Sequence, residues 1–156
     1  MELFFESHNK EETKRLGALL APHLVPMDVV LLTGDLGAGK TTFVSGVAEG
    51  LDIKDNVISP TFNIMKCYFG GRLPLYHIDA YRLEDQNIEI GLDEYIEGDG
   101  ACFIEWPKFI EPLIPDERIE IEINHKEENT RTLIFKTDCP RLAHVLEEVK
   151  EAFDHD

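Results

Sequence analysis

Apolar residues along the chain switch between two periods. "LFFE", residues 3–6, reads as a short first strand. From Asn9 the spacing changes: Leu16, Leu19 and Leu20 form a stripe behind a cap at Asn9, with Glu12 three residues on, so "NKEETKRLGALLAPHL" predicts a helix. "DVVLLTG" is a short continuous apolar run, the pattern of a strand buried on both faces. After Lys40, the residues Val44, Val47, Ala48 and Leu51 return at helical spacing. "FNIMKCYFGGRLPLYHIDAYRL" reads as two strands around Gly70 and Gly71, a hairpin signal. "ACFIEW" is another short buried strand, and "RIEIEINHKEENTRTLIFKTD" alternates and breaks at "KEEN", a second hairpin. Pro140 then opens a helix over about 140–153, with Leu142, Val145, Leu146, Val149 and Phe153 on one side.

These elements add up to an α/β fold with about seven strands and several helices. Hairpins interrupt a βα beginning, which predicts a mixed sheet and not a purely parallel one. No linker, repeat or low-complexity segment divides the chain, and 156 residues fit one domain, 1–156, with a real core.

Composition narrows the setting. No run approaches the ~18 apolar residues of a membrane span. The start "MELFFESHNK" lacks the basic and apolar parts of a signal peptide, so a cytoplasmic location is expected. Cys67, Cys102 and Cys139 are odd in number and lack CxxC spacing, which points away from a disulfide framework or a zinc site. Thirty-one acids against fifteen bases give a net charge of -16. Such a surface repels a phosphate backbone, so direct tight binding of bare nucleic acid is not expected. A triphosphate meets the same field and needs a local positive site.

The stretch "LLTGDLGAGKTTF" supplies one. Gly34, Gly39, Lys40 and Thr41 fit G-x-x-x-x-G-K-[ST], between an apolar strand and an amphipathic helix. The glycines let successive N–H groups point inward, and the helix start adds its positive dipole end. Lys40 reaches the β- and γ-phosphates, and the Thr41 hydroxyl can ligate Mg²⁺. The expected nucleotide contacts are Gly34, Asp35, Leu36, Gly37, Ala38, Gly39, Lys40, Thr41 and Thr42.

A phosphate cradle needs acids on the metal side, at the ends of buried strands beside it. Asp79 ends the apolar run of "LPLYHIDAYRL", and Glu105 ends that of "ACFIEWP". Asp79 can hold a magnesium-bound water; Glu105 can ligate the metal or orient the attacking water. A carboxylate at such a place is costly unless it meets a cation, while a solvated strand end is the plain alternative. In "SPTF", residues 59–62, Thr61 offers a hydroxyl that could sense the γ-phosphate through the metal, or sit in an ordinary strand-entry turn. His77 reads as a satisfied strand histidine.

"GDLGAGKTTF", "SPTF", "YHIDAYRL", "GLDEYI" and "IEWP" occur in this order and spacing, and through them the chain resembles the TsaE (YjeE) family over about residues 7–137. That family is the small bacterial P-loop ATPase of tRNA threonylcarbamoyladenosine synthesis. The resemblance implies a P-loop NTPase-like three-layer fold that binds ATP and Mg²⁺. It also implies partnership with TsaD and TsaB, which carry the transfer onto adenosine 37 of tRNA, so that tRNA is met only through the complex. By the same resemblance Thr41 and Glu105 are metal-side residues, Asp79 is a catalytic-site acid, and Arg131 and Ser7 lie near the nucleotide. A solvated hairpin arginine and a simple turn serine are the alternatives for those last two.

Three rival functions remain at this point. A GTPase needs an Asn/Thr-Lys-x-Asp segment, and the nearest match, "FKTD" at 135–138, begins with Phe135. A small-molecule kinase needs lid arginines, and the arginines here are scattered, with Arg82 and Arg131 the two candidates for a charge over the phosphates. A module that binds ATP only as an assembly switch is the third.

Overall fold

The apolar run Val29–Leu32 becomes the middle of the sheet. The computed structural model describes residues 1–35, 37, 39–60, 64–81 and 91–155. Within them run β1 (Glu2–Ser7), α1 (Lys10–Leu20), β2 (Val29–Gly34), α2 (Lys40–Gly50), β3 (Met65–Tyr68), β4 (Leu75–Asp79), α3 (Leu92–Ile96), β5 (Ala101–Glu105), β6 (Ile119–His125), β7 (Arg131–Lys136) and α4 (Pro140–Asp154). Short 3-10 turns cover Ala21–His23 and Pro107–Leu113.

The strands form one seven-stranded sheet in the order β1-β7-β6-β2-β5-β4-β3. Its inner four, β6, β2, β5 and β4, are mutually parallel. The two hairpins add antiparallel strands at the flanks, β3 on β4 and β7 on β6, and β1 closes the far edge against β7. The mixed α/β sheet read from the hydrophobic pattern is the one observed.

Alternation along the strands sorts the core into two layers. Val30, Leu32, Phe103 and Phe135 face Leu16 and Leu20 of α1, Val44 and Val47 of α2, and Leu142 and Leu146 of α4. Val29, Leu31, Ile78 and Ile104 face the other way, onto Leu92 and Ile96 of α3 and onto Ile110. Each such side chain contributes about 1.5–3 kcal/mol by leaving water, which holds three layers together in a chain of this length.

Two details set the helices around the cradle. Asn9 caps α1 by accepting from the Glu12 N–H at 2.8 Å, while the Glu12 carboxylate takes the His8 N–H at 3.0 Å, one residue before the cap. Helices α1 and α2 also approach closely. A Cβ at Gly17 would strike the Phe43 carbonyl, and one at Gly46 would strike the Lys14 carbonyl. That approach holds the N-terminus of α1 beside the loop between β2 and α2. Among the described residues no helix is long and apolar enough to cross a membrane.

Candidate functional site

The chain turns from β2 into α2 through backbone shapes that side chains resist. Gly34, Gly37 and Gly39 have φ of 124°, 75° and 112°. At Gly34 a Cβ would also collide with the Ile123 carbonyl of β6, so only glycine fits there. Gly39 stands at the cap position of α2, and no side chain caps it. The first-turn N–H groups of α2 therefore keep their donors for water or an anion. Lys40 folds over this turn and donates from Nζ to the carbonyls of Gly34 at 3.1 Å and Asp35 at 3.4 Å. Thr41 and Thr42 follow in the first turn, both half-buried. The Asp35 carboxylate accepts the His125 N–H at 3.1 Å and ties the loop to the end of β6. Leu36 and Ala38 lie outside the described residues, as do Thr61 and Arg82.

On the β6–β7 side of the loop opens a cavity of about 380 Å³, walled by Asn9, Thr13, Gly39, Thr42, Asn129 and Arg131. Arg131 begins β7, and its guanidinium donates to the Glu127, Glu128 and Thr130 carbonyls of the adjoining turn. Ser7 does not reach this cavity. Its hydroxyl is fully buried, donating to the Asn9 carbonyl at 2.8 Å and sharing a 2.6 Å hydrogen bond with Thr13. Ser7 thus supports the wall from behind, through Asn9 and Thr13. A hollow of about 770 Å³ lies elsewhere, beside Met27, Asp28, Glu117 and Arg141. It borders the other end of β2, away from the glycine loop, and the basic side chain in its lining, Arg141, is already held by Asp28 at 2.6 Å, so the smaller cavity is the candidate.

On the β5 side stand the acids. Asp79 ends β4, Glu105 ends β5, and the two are cross-strand partners in the parallel ladder. Both continue, in steps of two, the series of Leu75 and Phe103 that faces α2, so their side chains share that face. Adjacent strands are roughly 4.8 Å apart. Only 5% of Asp79 and 7% of Glu105 is exposed. Asp79 accepts the Tyr81 N–H at 3.0 Å, and Glu105 accepts from His77 at 2.7 Å. Among the described residues no lysine or arginine pairs with either acid. Two neighbouring buried carboxylates without a cation are costly.

Their chemistry fits Mg²⁺. Among the described residues no three His, Cys, Asp or Glu side chains gather into a metal-holding group. Mg²⁺ bound with a triphosphate does not need one, since one or two carboxylates, a hydroxyl, phosphate oxygens and waters complete its shell.

His77 corrects an expectation. It is fully buried, and its Nδ1 finds no hydrogen-bond partner among the described residues, so it is only half satisfied. Trp106, directly after Glu105, has φ 57° and packs against Tyr81 with centroids 5.0 Å apart and the rings tilted by 58°, at 42% exposure. "FKTD" sits at the far end of the sheet, since Lys136 pairs with Glu120 at the start of β6 while the cradle meets Ile123 near its end. Thr13 and Asn129 escaped the sequence reading. Nothing local marks them, because the folding of α1 and the β6–β7 turn onto the loop makes them wall residues.

A family model described as threonylcarbamoyl adenosine biosynthesis protein TsaE matches residues 7–133. The chain belongs to the TsaE family. It is 47% identical over 148 residues to the tRNA threonylcarbamoyladenosine biosynthesis protein TsaE of Bacillus subtilis strain 168, covering 95% of this chain and 94% of that one. The TsaE of Nostoc sp. PCC 7120 is 43% identical over 128 residues, 79% of this chain and 78% of its own. The crystal structure of Bacillus subtilis YdiB superposes with a TM-score of 0.84 at 41% identity, covering 97% of this chain and 96% of that chain. The glycine loop, Asp79 and Glu105 all fall inside the matched stretch of the TsaE family.

Proposed function

We propose that this chain is a cytoplasmic, magnesium-dependent ATPase serving the tRNA N6-threonylcarbamoyladenosine machinery that modifies position 37, acting with TsaD and TsaB homologues. The observation that carries the ATPase reading is one of order across the sheet. The glycine loop ends central β2, with a cavity on its β6–β7 side and two buried acids on its β5–β4 side. A triphosphate laid along the loop has its nucleoside end toward the cavity and its γ-phosphate toward the acids.

The loop N–H groups and the first turn of α2 bind phosphate oxygens. Lys40 exchanges the Gly34 and Asp35 carbonyls for the β/γ-phosphates. Thr41, Asp79 and Glu105 hold the metal side, where Mg²⁺, when bound, neutralises charge developing on the phosphates. Glu105 orients and accepts a proton from the attacking water, and Asp79 fixes the neighbouring water shell. Thr61 is the proposed sensor of the γ-phosphate. Arg131 borders the nucleoside cavity rather than the acids, and a partner is the proposed source of the charge that meets the transition state.

A phosphate-release assay tests this on the chain alone, with tRNA, with TsaD and TsaB homologues, and with all of them. Slow hydrolysis alone, faster hydrolysis with the two proteins and little change with bare tRNA is the expected pattern, since a net charge of -16 opposes direct contact with tRNA. Full activity in isolation, unmoved by the proteins, contradicts the partner-dependent mechanism.

A further inference from the structure

We propose that His77 is a positioning residue for the hydrolytic centre: its neutral imidazole donates from Nε2 to Glu105, fixing one carboxylate oxygen while leaving the full negative charge in place. This rests on the role given to Glu105 above.

Register explains why the two meet. His77 pairs with Phe103 and Asp79 pairs with Glu105, so His77 lies one step below the acids on the same face. Its ring reaches diagonally to Glu105 Oε2 at 2.7 Å, the kind of cross-strand contact open to long side chains. Around it are Leu75 and Phe103, and its Nδ1 is the buried polar side-chain atom left without a partner among the described residues.

The tautomer follows from this accounting. An ionised carboxylate only accepts, so Nε2 carries the hydrogen. A second proton at Nδ1 would place an orphan donor and a positive charge against apolar side chains. The lone acceptor alone already costs about 1–3 kcal/mol. An apolar residue at position 77 would avoid that cost, so the histidine is poor core filling. What it supplies is a rigid neutral donor to Glu105. A lysine or arginine there would hold the carboxylate equally well but cancel its charge. A neutral donor orients the carboxylate and leaves it free to attract a cation and take a proton from water, the outer-shell role such groups play around metal-side carboxylates.

Two variants and one spectrum test the proposal. His77→Leu fills the space and removes the donor. It should lower turnover by ~10–100-fold, the usual effect of losing an outer-shell partner, with affinity for a non-hydrolysable ATP analogue and the unfolding midpoint both retained. His77→Gln offers an amide donor at similar reach and should recover most of that loss. Long-range ¹H–¹⁵N correlation of the nucleotide-free parent should show His77 with hydrogen on Nε2 and a bare Nδ1. Parental turnover in His77→Leu, no advantage of Gln over Leu, or a bare Nε2 in the spectrum each overturns the proposal. The spectrum decides even if the leucine variant fails to fold. Glu105→Gln run alongside separates the two readings. If it is slow while His77→Leu is not, Glu105 keeps its role and only the positioning claim falls; if it is not slow, the function assigned to the site falls first.

Discussion

Asp28 and Glu105 are buried alike, 4% and 7% exposed, at opposite ends of the parallel strands, yet their surroundings differ in kind. Asp28 stands just before β2. Its Oδ1 accepts from Arg141 at 2.6 Å and its Oδ2 from the Val25 N–H at 2.9 Å, so a cation and a backbone donor account for both oxygens. Glu105 ends β5 with the His77 imidazole as its partner and a second acid, Asp79, beside it. The difference teaches how a buried carboxylate is read. Where the protein supplies the counter-charge, the acid fastens structure, here α4 to the start of β2. Where it supplies only neutral donors, the charge is held for something that arrives.

The contrast predicts opposite responses to the same change. Glu105→Gln keeps the shape, and the amide oxygen can still accept from His77. Stability should stay level or rise, because a buried charge is gone. ATP turnover should fall by ~10²–10⁴-fold, the contribution of a positioned acid–base group, with analogue binding retained. Steady-state phosphate release and a denaturant titration measure both. A parental rate would make Glu105 a second Asp28 and erase the comparison.

Asp28→Asn should do the reverse. The amide can keep one of the two partners, but it turns a donor toward the other. The expected cost is about 1.5–3 kcal/mol, the range for hydrogen bonds to charged groups, seen as a lower denaturant midpoint at unchanged slope. Turnover of the folded fraction should match the parent, since β5 alone puts roughly 15 Å between the two ends. A loss of rate without a loss of stability would place Asp28 in the chemistry after all.

How much of this was legible beforehand follows the range of the signals. The glycine loop, the strand before it and the helix after it are local and came through, as did both hairpins and the helix from Pro140. Asp79 and Glu105 were found because each ends an apolar run. That they are cross-strand partners was not, because pairing β4 with β5 depends on residues far apart in the chain. His77 was misjudged for the same reason. Its two-residue offset from Asp79 marks the shared face, but its partner on β5 and the orphan Nδ1 need the register. Ser7 is near the nucleotide by resemblance alone, and its burial under Thr13 and the β1–β7 pairing needed the fold to be seen.

A third setting completes the comparison with the smallest effect. His8 lies on the surface between Glu6 at 3.1 Å and Glu12 at 3.0 Å, where neither carboxylate loses its water. The Glu12 carboxylate first, and Glu6 after it, hold the imidazole above its ordinary value of 6.5, while both glutamates are held below theirs. The sign is then fixed. The folded protein binds this proton more tightly than the unfolded chain, so the contribution is complete below pH 6.5 and is lost as pH rises through the raised folded value. Both glutamates remain ionised throughout that window. In an NMR titration the His8 ring should show a midpoint above 6.5, moving back toward it in about 1 M salt, where the Debye length shrinks to ~3 Å. His8→Gln should remove only the slight stabilisation seen on the acid side, because an exposed pair contributes little. A midpoint at or below 6.5 would mean that even on the surface these carboxylates do not act as partners. Neutral His77 and charged His8 would then no longer mark two different ways of holding a glutamate.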